Sequence, residues 1–75
     1  MEKALILITL KLKSSSNLLE QIKAIPSVTD TEMVYGPYDA YAVLESKTKE
    51  ELRDSIVKIR QVYGVHNTLT CNIIP

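Results

Sequence analysis

Apolar and polar residues follow two different periods along this chain, and the first third contains one example of each. Residues 3–12, K-A-L-I-L-I-T-L-K-L, form a short continuous apolar run. Such a run predicts a strand buried on both faces, or on one face by the fold and on the other by a partner. Residues 17–25 carry apolar side chains at helical spacing instead, with Asn17 as a fitting N-cap and Glu20 three positions later. Pro26 disfavours the helical conformation of the residue before it, so this helix is expected to end there.

The next two segments predict a β-hairpin. Residues 28–35 alternate in the manner of a half-buried strand, and residues 40–45, A-Y-A-V-L-E, predict a second strand. Gly36-Pro37 between them is a turn signal, and strands joined by so short a link are expected to pair antiparallel. In the first of the two strands, the side chains expected to face the core are Thr29, Thr31, Met33 and Tyr35.

The last third of the chain predicts a capped helix followed by a strand. Thr48 and Glu51 have the spacing of a capping box, and an apolar stripe extends over residues 49–63. Gly64 is a good helix terminator, and residues 65–74 alternate as a final strand. The helical stripe consists of Leu52, Ile56, Ile59 and Tyr63, and the strand presents Leu69, Cys71 and Ile73 on one face and Thr68, Thr70, Asn72 and Ile74 on the other.

The order of these elements predicts an α+β fold of the ferredoxin-like βαββαβ kind, with residues 1–75 as one domain. In this fold a four-stranded antiparallel sheet carries both helices on one face. The first strand is apolar on both of its sides, so the uncovered face of the sheet is expected to be partly hydrophobic. A large exposed apolar patch on a soluble protein usually marks an interface, and we therefore expect two chains to dimerise through their sheets.

Composition supports an oligomer and argues against several classes of function. A chain of 75 residues has a marginal core, and small domains gain stability from disulfides, a metal or partner chains. The single cysteine, Cys71, and the single histidine, His66, provide neither an intrachain disulfide nor a zinc cage. Nine basic and nine acidic residues balance, which argues against direct nucleic-acid binding. The first apolar run is too short to span a membrane and lacks a signal-peptide cleavage pattern, so a cytoplasmic location is expected.

The chain lacks an obvious catalytic or metal-binding constellation. His66 and Cys71 on one strand would lie about 16 Å apart and point to opposite faces, which is unsuitable for a nucleophile–base pair. The simpler interpretation is a surface histidine and a buried, small apolar cysteine. Asp30 and Glu32 share one strand face, where a solvated edge or an intersubunit salt bridge is expected. Two glycines are too few for a phosphate cradle, and we expect no cofactor and no metal, with a His66–carboxylate site between subunits as the arrangement left open.

The segment 34–43, V-Y-G-P-Y-D-A-Y-A-V, concentrates the polar chemistry of the chain. Gly36 suits a positive φ, and Pro37 belongs in the turn because it cannot donate to a strand ladder. Asp39 at the start of the next strand either accepts hydrogen bonds from nearby backbone amides or faces a ligand, and on local grounds the turn role is favoured. The tyrosines around it, which suit strands and pack with a polar tip, are Tyr35, Tyr38 and Tyr41.

Four segments in this order resemble the effector-binding domain of the Lrp/AsnC regulators of amino-acid metabolism, often called the RAM domain. They are I-P-S-V after the first helix, V-Y-G-P-Y-D-A-Y-A-V-L-E in the hairpin, T-K-E-E-L-R-D-S-I in the capped helix and V-H-N-T-L-T-C-N-I-I in the last strand. The resemblance covers nearly the whole chain. Its most specific parts are the spaced G-x-Y-D and T-x-T elements.

The resemblance implies a fold, an assembly and a ligand. Such domains are ferredoxin-like, dimerise through their sheets and often assemble further into octameric or decameric rings. Small effectors, usually amino acids, bind at the dimer–dimer interface, in clefts lined by the G-x-Y-D turn and the last-strand threonines. There Asp39 would pair with the α-ammonium group of an effector, while amides near Gly36 and threonine hydroxyls would hold its carboxylate. By position, the ligand-binding residues implied here are Tyr35, Gly36, Tyr38, Asp39, Thr68 and Thr70.

Full-length regulators of the family carry an N-terminal helix-turn-helix domain, whereas this chain starts at the first strand of the effector domain. The resemblance therefore implies a stand-alone form without a DNA-reading element. The leading hypothesis is a non-enzymatic, oligomeric amino-acid sensor in transcription regulation. The alternative is a structural module that co-assembles with full-length Lrp/AsnC regulators and binds no ligand. A small dimeric ferredoxin-like enzyme is disfavoured, because it would need a catalytic histidine or acid in the cleft between helices and sheet, and His66 is badly placed.

Overall fold

The computed structural model describes residues 1–11 and 17–74, and its elements follow the predicted order. Within these ranges, four strands form one antiparallel sheet in the order β2-β3-β1-β4, so the predicted βαββαβ arrangement is confirmed. The elements are β1 (Glu2–Leu10), α1 (Leu18–Lys23), β2 (Val28–Met33), β3 (Ala40–Ser46), α2 (Lys49–Arg60) and β4 (Val65–Asn72).

The core lies between the two helices and one face of the sheet, and β1 runs through its centre. Ile6 and Ile8 of β1 have no exposed surface, and their register partners on β3 are Ala42 and Ala40. Small side chains opposite large ones leave room for the helices to approach the sheet closely. Each fully buried isoleucine contributes about 1.5–3 kcal/mol by the removal of apolar surface from water. The helices supply Leu18, Ile22, Leu52 and Ile59.

Both helices are shorter than the sequence pattern predicts. The α2 cap is confirmed, because Thr48 Oγ1 accepts a hydrogen bond from the backbone N–H of Glu51 at 3.1 Å. However, α2 ends at Arg60, so Tyr63 falls beyond the helical stripe and is 72% exposed, and Val62 packs against the core in its place. The helix ends before Gly64, which has a φ of 102°.

The first helix also departs from its prediction at the N-terminus. Asn17 occupies the N-cap position, but its side chain makes no capping hydrogen bond. Its Oδ1 accepts instead from Gln21 Nε2 at 2.9 Å. The end of the first predicted strand, at residue 12, lies outside the described residues.

The predicted alternation of β2 is wrong at the start of the strand, where the register shifts between Val28 and Asp30. A bulge adds a residue on one strand and therefore moves every later side chain to the other face. Val28 consequently packs against the core, whereas Thr29 is exposed. Of the four side chains expected in the core, only Thr31 is buried, and its hydroxyl donates to the carbonyl oxygen of Tyr41 at 2.8 Å.

The face of the sheet opposite the helices is apolar at its centre, as predicted. In register, Leu5 of β1 lies between Val43 of β3 and Cys71 of β4, and Leu7 lies beside Leu69. Leu5, Leu7 and Val43 are half-buried within one chain, and Leu69 is 47% exposed. Cys71 is also exposed, so the prediction of a buried cysteine is wrong for the single chain. The reason is that odd-numbered residues of β4 point away from the helices.

Candidate functional site

The loop between β2 and β3 carries the G-x-Y-D element and has an open, exposed geometry. Gly36 has a φ of 134°, a conformation that glycine adopts at little cost. A Cβ atom added at this position would meet nothing within 4 Å, so the backbone conformation alone favours glycine. Tyr35 is fully exposed and Tyr38 is half-buried, which leaves aromatic surface available at this end of the sheet.

Asp39 closes this loop and fastens it to the end of β1. Its backbone N–H donates to the carbonyl oxygen of Ile8 at 2.9 Å, and its own carbonyl accepts from the N–H of Val34 at 2.9 Å. Its carboxylate Oδ2 accepts from the N–H of Leu10 at 2.8 Å. The turn role expected on local grounds is therefore present, and one carboxylate oxygen already has a backbone donor.

The two threonines of β4 lie on the helix-covered face, on the other side of β1. Thr68 of β4 pairs in register with Ile8 of β1, and Ile8 pairs on its other side with Ala40 of β3. Ala40 is the residue that follows Asp39. Two strand spacings therefore separate the loop from Thr68, a distance of about 10 Å. Thr68 Oγ1 accepts from Arg60 Nε at 3.3 Å, whereas Thr70 Oγ1 is buried and has no hydrogen-bond partner among the described residues.

The six residues of the predicted site thus form two groups that a single chain does not bring into one cavity. The loop group holds Tyr35, Gly36, Tyr38 and Asp39. The threonine group lies near two surface depressions, one beside Thr68 and His66 and the other between α2 and β4. We call the second depression, of about 700 Å³, the α2 groove; its walls are α2 on one side and Thr70 and Asn72 on the other.

Sequence reasoning missed the cationic wall of the α2 groove. Lys49, Arg53 and Arg60 all line it from α2. The signal was present in the sequence, since residues four and eleven positions after Lys49 return to the same helical face. In the helical pattern by itself, these cations lie on the solvated side of α2. That side becomes the wall of a groove because β4 lies next to it, which the helical pattern does not show.

Two pairs of polar side chains on the uncovered face of the sheet are in contact within the chain. The Tyr41 hydroxyl donates to Asp30 Oδ2 at 2.7 Å. This hydrogen bond is the main cause that raises the pKa of Tyr41, and the negative charges of Asp30 and Glu32 add to it. Lys3 Nζ lies 3.3 Å from Glu45 Oε1 in the neighbouring strand. These contacts surround the apolar centre of the face with polar groups.

Metal-binding clusters and membrane-spanning helices are both absent from the described residues. Across residues 1–11 and 17–74, no three or more His, Cys, Asp or Glu side chains are grouped so that they could hold a metal ion. Over the same ranges, no helix is long and apolar enough to cross a membrane.

Comparison with solved structures shows the same fold in proteins of similar length. The structure of FFRP-DM1 is 31% identical with a TM-score of 0.88, and the match covers 99% of this chain and 100% of that one. TTHA0845 from Thermus thermophilus is 30% identical with a TM-score of 0.84, covering 100% of this chain and 95% of that one.

A longer protein contains the same fold as one part. The feast or famine regulatory protein of M. tuberculosis, solved in complex with L-methionine, is 19% identical with a TM-score of 0.80, and all of this chain matches 51% of it. Among curated proteins, no relative matches the chain. The family model described as the Lrp/AsnC ligand binding domain matches residues 3–74. This match extends over nearly every element described above, and the chain therefore belongs to the family of Lrp/AsnC ligand-binding domains.

Proposed function

We propose that this chain is a non-enzymatic, oligomeric sensor of an amino acid that acts in transcription regulation of amino-acid metabolism in the cytoplasm. The observation that carries the proposal is the match of residues 3–74 to a domain described by its ligand binding. A related regulator from M. tuberculosis was solved with L-methionine, which supports an amino acid as the class of effector.

The loop group has the chemistry that an amino-acid effector needs. A carboxylate has about four lone-pair sites, so the bond from Leu10 to Asp39 leaves capacity for an ammonium group. Asp39 is half-buried, where a charge-assisted hydrogen bond is stronger than in bulk water. The open backbone at Gly36 and the exposed ring of Tyr35 add amide donors and an aromatic surface.

The threonine group completes this site across a chain boundary. Thr68 and Thr70 lie across β1 from Asp39 and face the helices, so we place the loop of one chain against the threonines of another. The apolar sheet face is then the homodimer interface, and the effector lies between dimers in an octamer or decamer. A ligand at such a boundary favours the assembly that it binds best, which couples sensing to assembly.

The second candidate is a structural module that co-assembles with full-length Lrp/AsnC regulators and binds no ligand. One observation favours it: the Asp39 carboxylate accepts a backbone hydrogen bond from Leu10, so its presence in the loop has a purely structural explanation.

Isothermal titration against the twenty amino acids, with an Asp39→Asn variant, separates the two candidates. Asparagine keeps an acceptor for the Leu10 N–H but removes the charge, so the fold is retained while effector binding weakens by about tenfold or more. Asp54→Asn, which removes a carboxylate from an exposed position on α2, serves as the matched control and should bind as the parent does. The sensor is ruled out if no amino acid produces heat in protein that native mass spectrometry shows to be an octamer or decamer. Capture of a full-length Lrp/AsnC regulator under that outcome would establish the second candidate.

Dimerisation through the sheet is tested separately. Leu7→Asp places a charge in the apolar centre of the uncovered face, and light scattering should then give a lower mass than that of the parent assembly. Val57→Asp is the control, since Val57 is 41% exposed on α2 and lies on the opposite side of the molecule. A Leu7→Asp variant that keeps the parent mass would show that the chains meet elsewhere.

A further inference from the structure

The α2 groove has the size and lining of a small-molecule site. Its volume of about 700 Å³ falls within the range of roughly 300–1,000 Å³ that ligand sites occupy. Leu52 and Ile56 form an apolar floor, and Val57 at the rim is 41% exposed. None of the four loop residues of the proposed sensor site lines the groove, and Thr70 of the threonine group is the residue that both sites share.

Charge is segregated at this groove, although the chain as a whole is neutral. Lys49, Arg53 and Arg60 line it from one face of α2, and Glu2 is the carboxylate that lines it. Lys3 also lines it but is paired with Glu45. The acidic residues of α2, which all lie outside the lining, are Glu50, Glu51 and Asp54.

The cations of the groove are available to a ligand. Within the described part of the chain, neither Lys49 nor Arg53 forms an ion pair. Arg60 donates its Nε–H to Thr68 at 3.3 Å, a contact that holds the guanidinium beside β4. A guanidinium presents a rigid fork of donors that matches a carboxylate with two parallel hydrogen bonds.

The β4 wall adds a second observation that points to a ligand. Thr70 lines the groove, and its buried hydroxyl has no hydrogen-bond partner among the described residues. A buried hydroxyl without a partner is unfavourable, and most such groups in folded proteins are satisfied. Rotation of the Thr70 side chain to another staggered position changes the direction of its hydroxyl group, so the hydroxyl can turn to meet a bound molecule.

We propose that the α2 groove binds an organic anion that carries a short aliphatic chain. The carboxylate lies between Arg53 and Arg60, which are separated by about 10 Å along the helix axis. The hydrocarbon lies on Leu52 and Ile56. An amino acid fits this place less well, because its ammonium group would lie among cations, and Glu2 is the one carboxylate that the described residues contribute to the lining.

The test is a titration of the full chain with isocaproate, followed in proton–nitrogen correlation spectra at low ionic strength. Chemical-shift changes are expected on α2 and β4. Arg53→Gln should weaken binding by about tenfold, the loss of one charge-assisted hydrogen bond. Lys58→Gln removes the same charge from α2 outside the groove lining and should leave binding unchanged.

Four results would overturn the proposal: no shifts on α2, equal binding of the neutral isocaproamide, equal binding of inorganic phosphate, or full binding by Arg53→Gln. The first two exclude an anion site, the third indicates an unselective basic patch, and the fourth places the ligand elsewhere.

A parallel titration with leucine keeps the two proposals distinct. Its shifts should include the loop residues 35–39, which isocaproate should leave unshifted, and should disappear in Asp39→Asn.

Discussion

Replacing Asp39 by alanine should destabilise the fold even when no effector is present. The substitution removes the acceptor of the Leu10 N–H, a bond of 2.8 Å in a half-buried setting. Hydrogen bonds to charged groups contribute about 1.5–3 kcal/mol, and partial exposure places this one in the lower part of that range, at about 2 kcal/mol. For a domain of this size each kcal/mol corresponds to about 4–8 °C, so Tm should fall by about 8–16 °C.

The assay is thermal and urea unfolding followed by circular dichroism at one fixed protein concentration, because assembly contributes to the apparent stability. Asp39→Asn, which keeps an acceptor for Leu10, should lose less than about 1 kcal/mol. Asp54→Ala on the exposed side of α2 is the control and should stay within about 0.5 kcal/mol of the parent. An Asp39→Ala variant as stable as the Asp54→Ala control would refute the reasoning, and the loop carboxylate would then serve ligand binding alone.

Two other predictions concern the hairpin. Gly36→Ala should lower the free energy of unfolding by about 1–2 kcal/mol in the same assay, because a φ of 134° disfavours any residue with a side chain. The added Cβ would meet no atom within 4 Å, so the loss comes from the backbone conformation alone. Unchanged stability would mean that the loop relaxes freely. Tyr41 should lose its proton above the usual tyrosine range in an ultraviolet titration, because its hydroxyl donates to Asp30. Since the folded-state pKa is raised, this contact stabilises the fold below the unfolded pKa of about 10 and is lost as pH rises through the folded value. Asp30→Asn should return the pKa of Tyr41 toward its ordinary value, and a variant that leaves the titration unchanged would contradict the assignment.

The sequence by itself determined the order and kind of the elements and the direction of the β4 side chains. The reason is that these features depend on neighbours along the chain. The Thr48–Glu51 cap spans one helical turn, and the alternation of Thr68, Leu69 and Thr70 follows from the pleat of a single strand. The G-x-Y-D turn was likewise visible, because Gly36 and the adjacent proline are local signals.

Only the tertiary structure decided how those elements meet. The bulge at the start of β2 depends on its register with β3, and it moved Val28 into the core and Thr29 out of it. The bond from Leu10 to Asp39 joins residues 29 positions apart, which no local pattern encodes. Strand order then placed β1 between the loop and Thr68, so one chain divides the predicted site into two groups. Long-range pairing is set by the packing of the whole sheet, and this is why the local patterns predicted the elements but not the contacts between them.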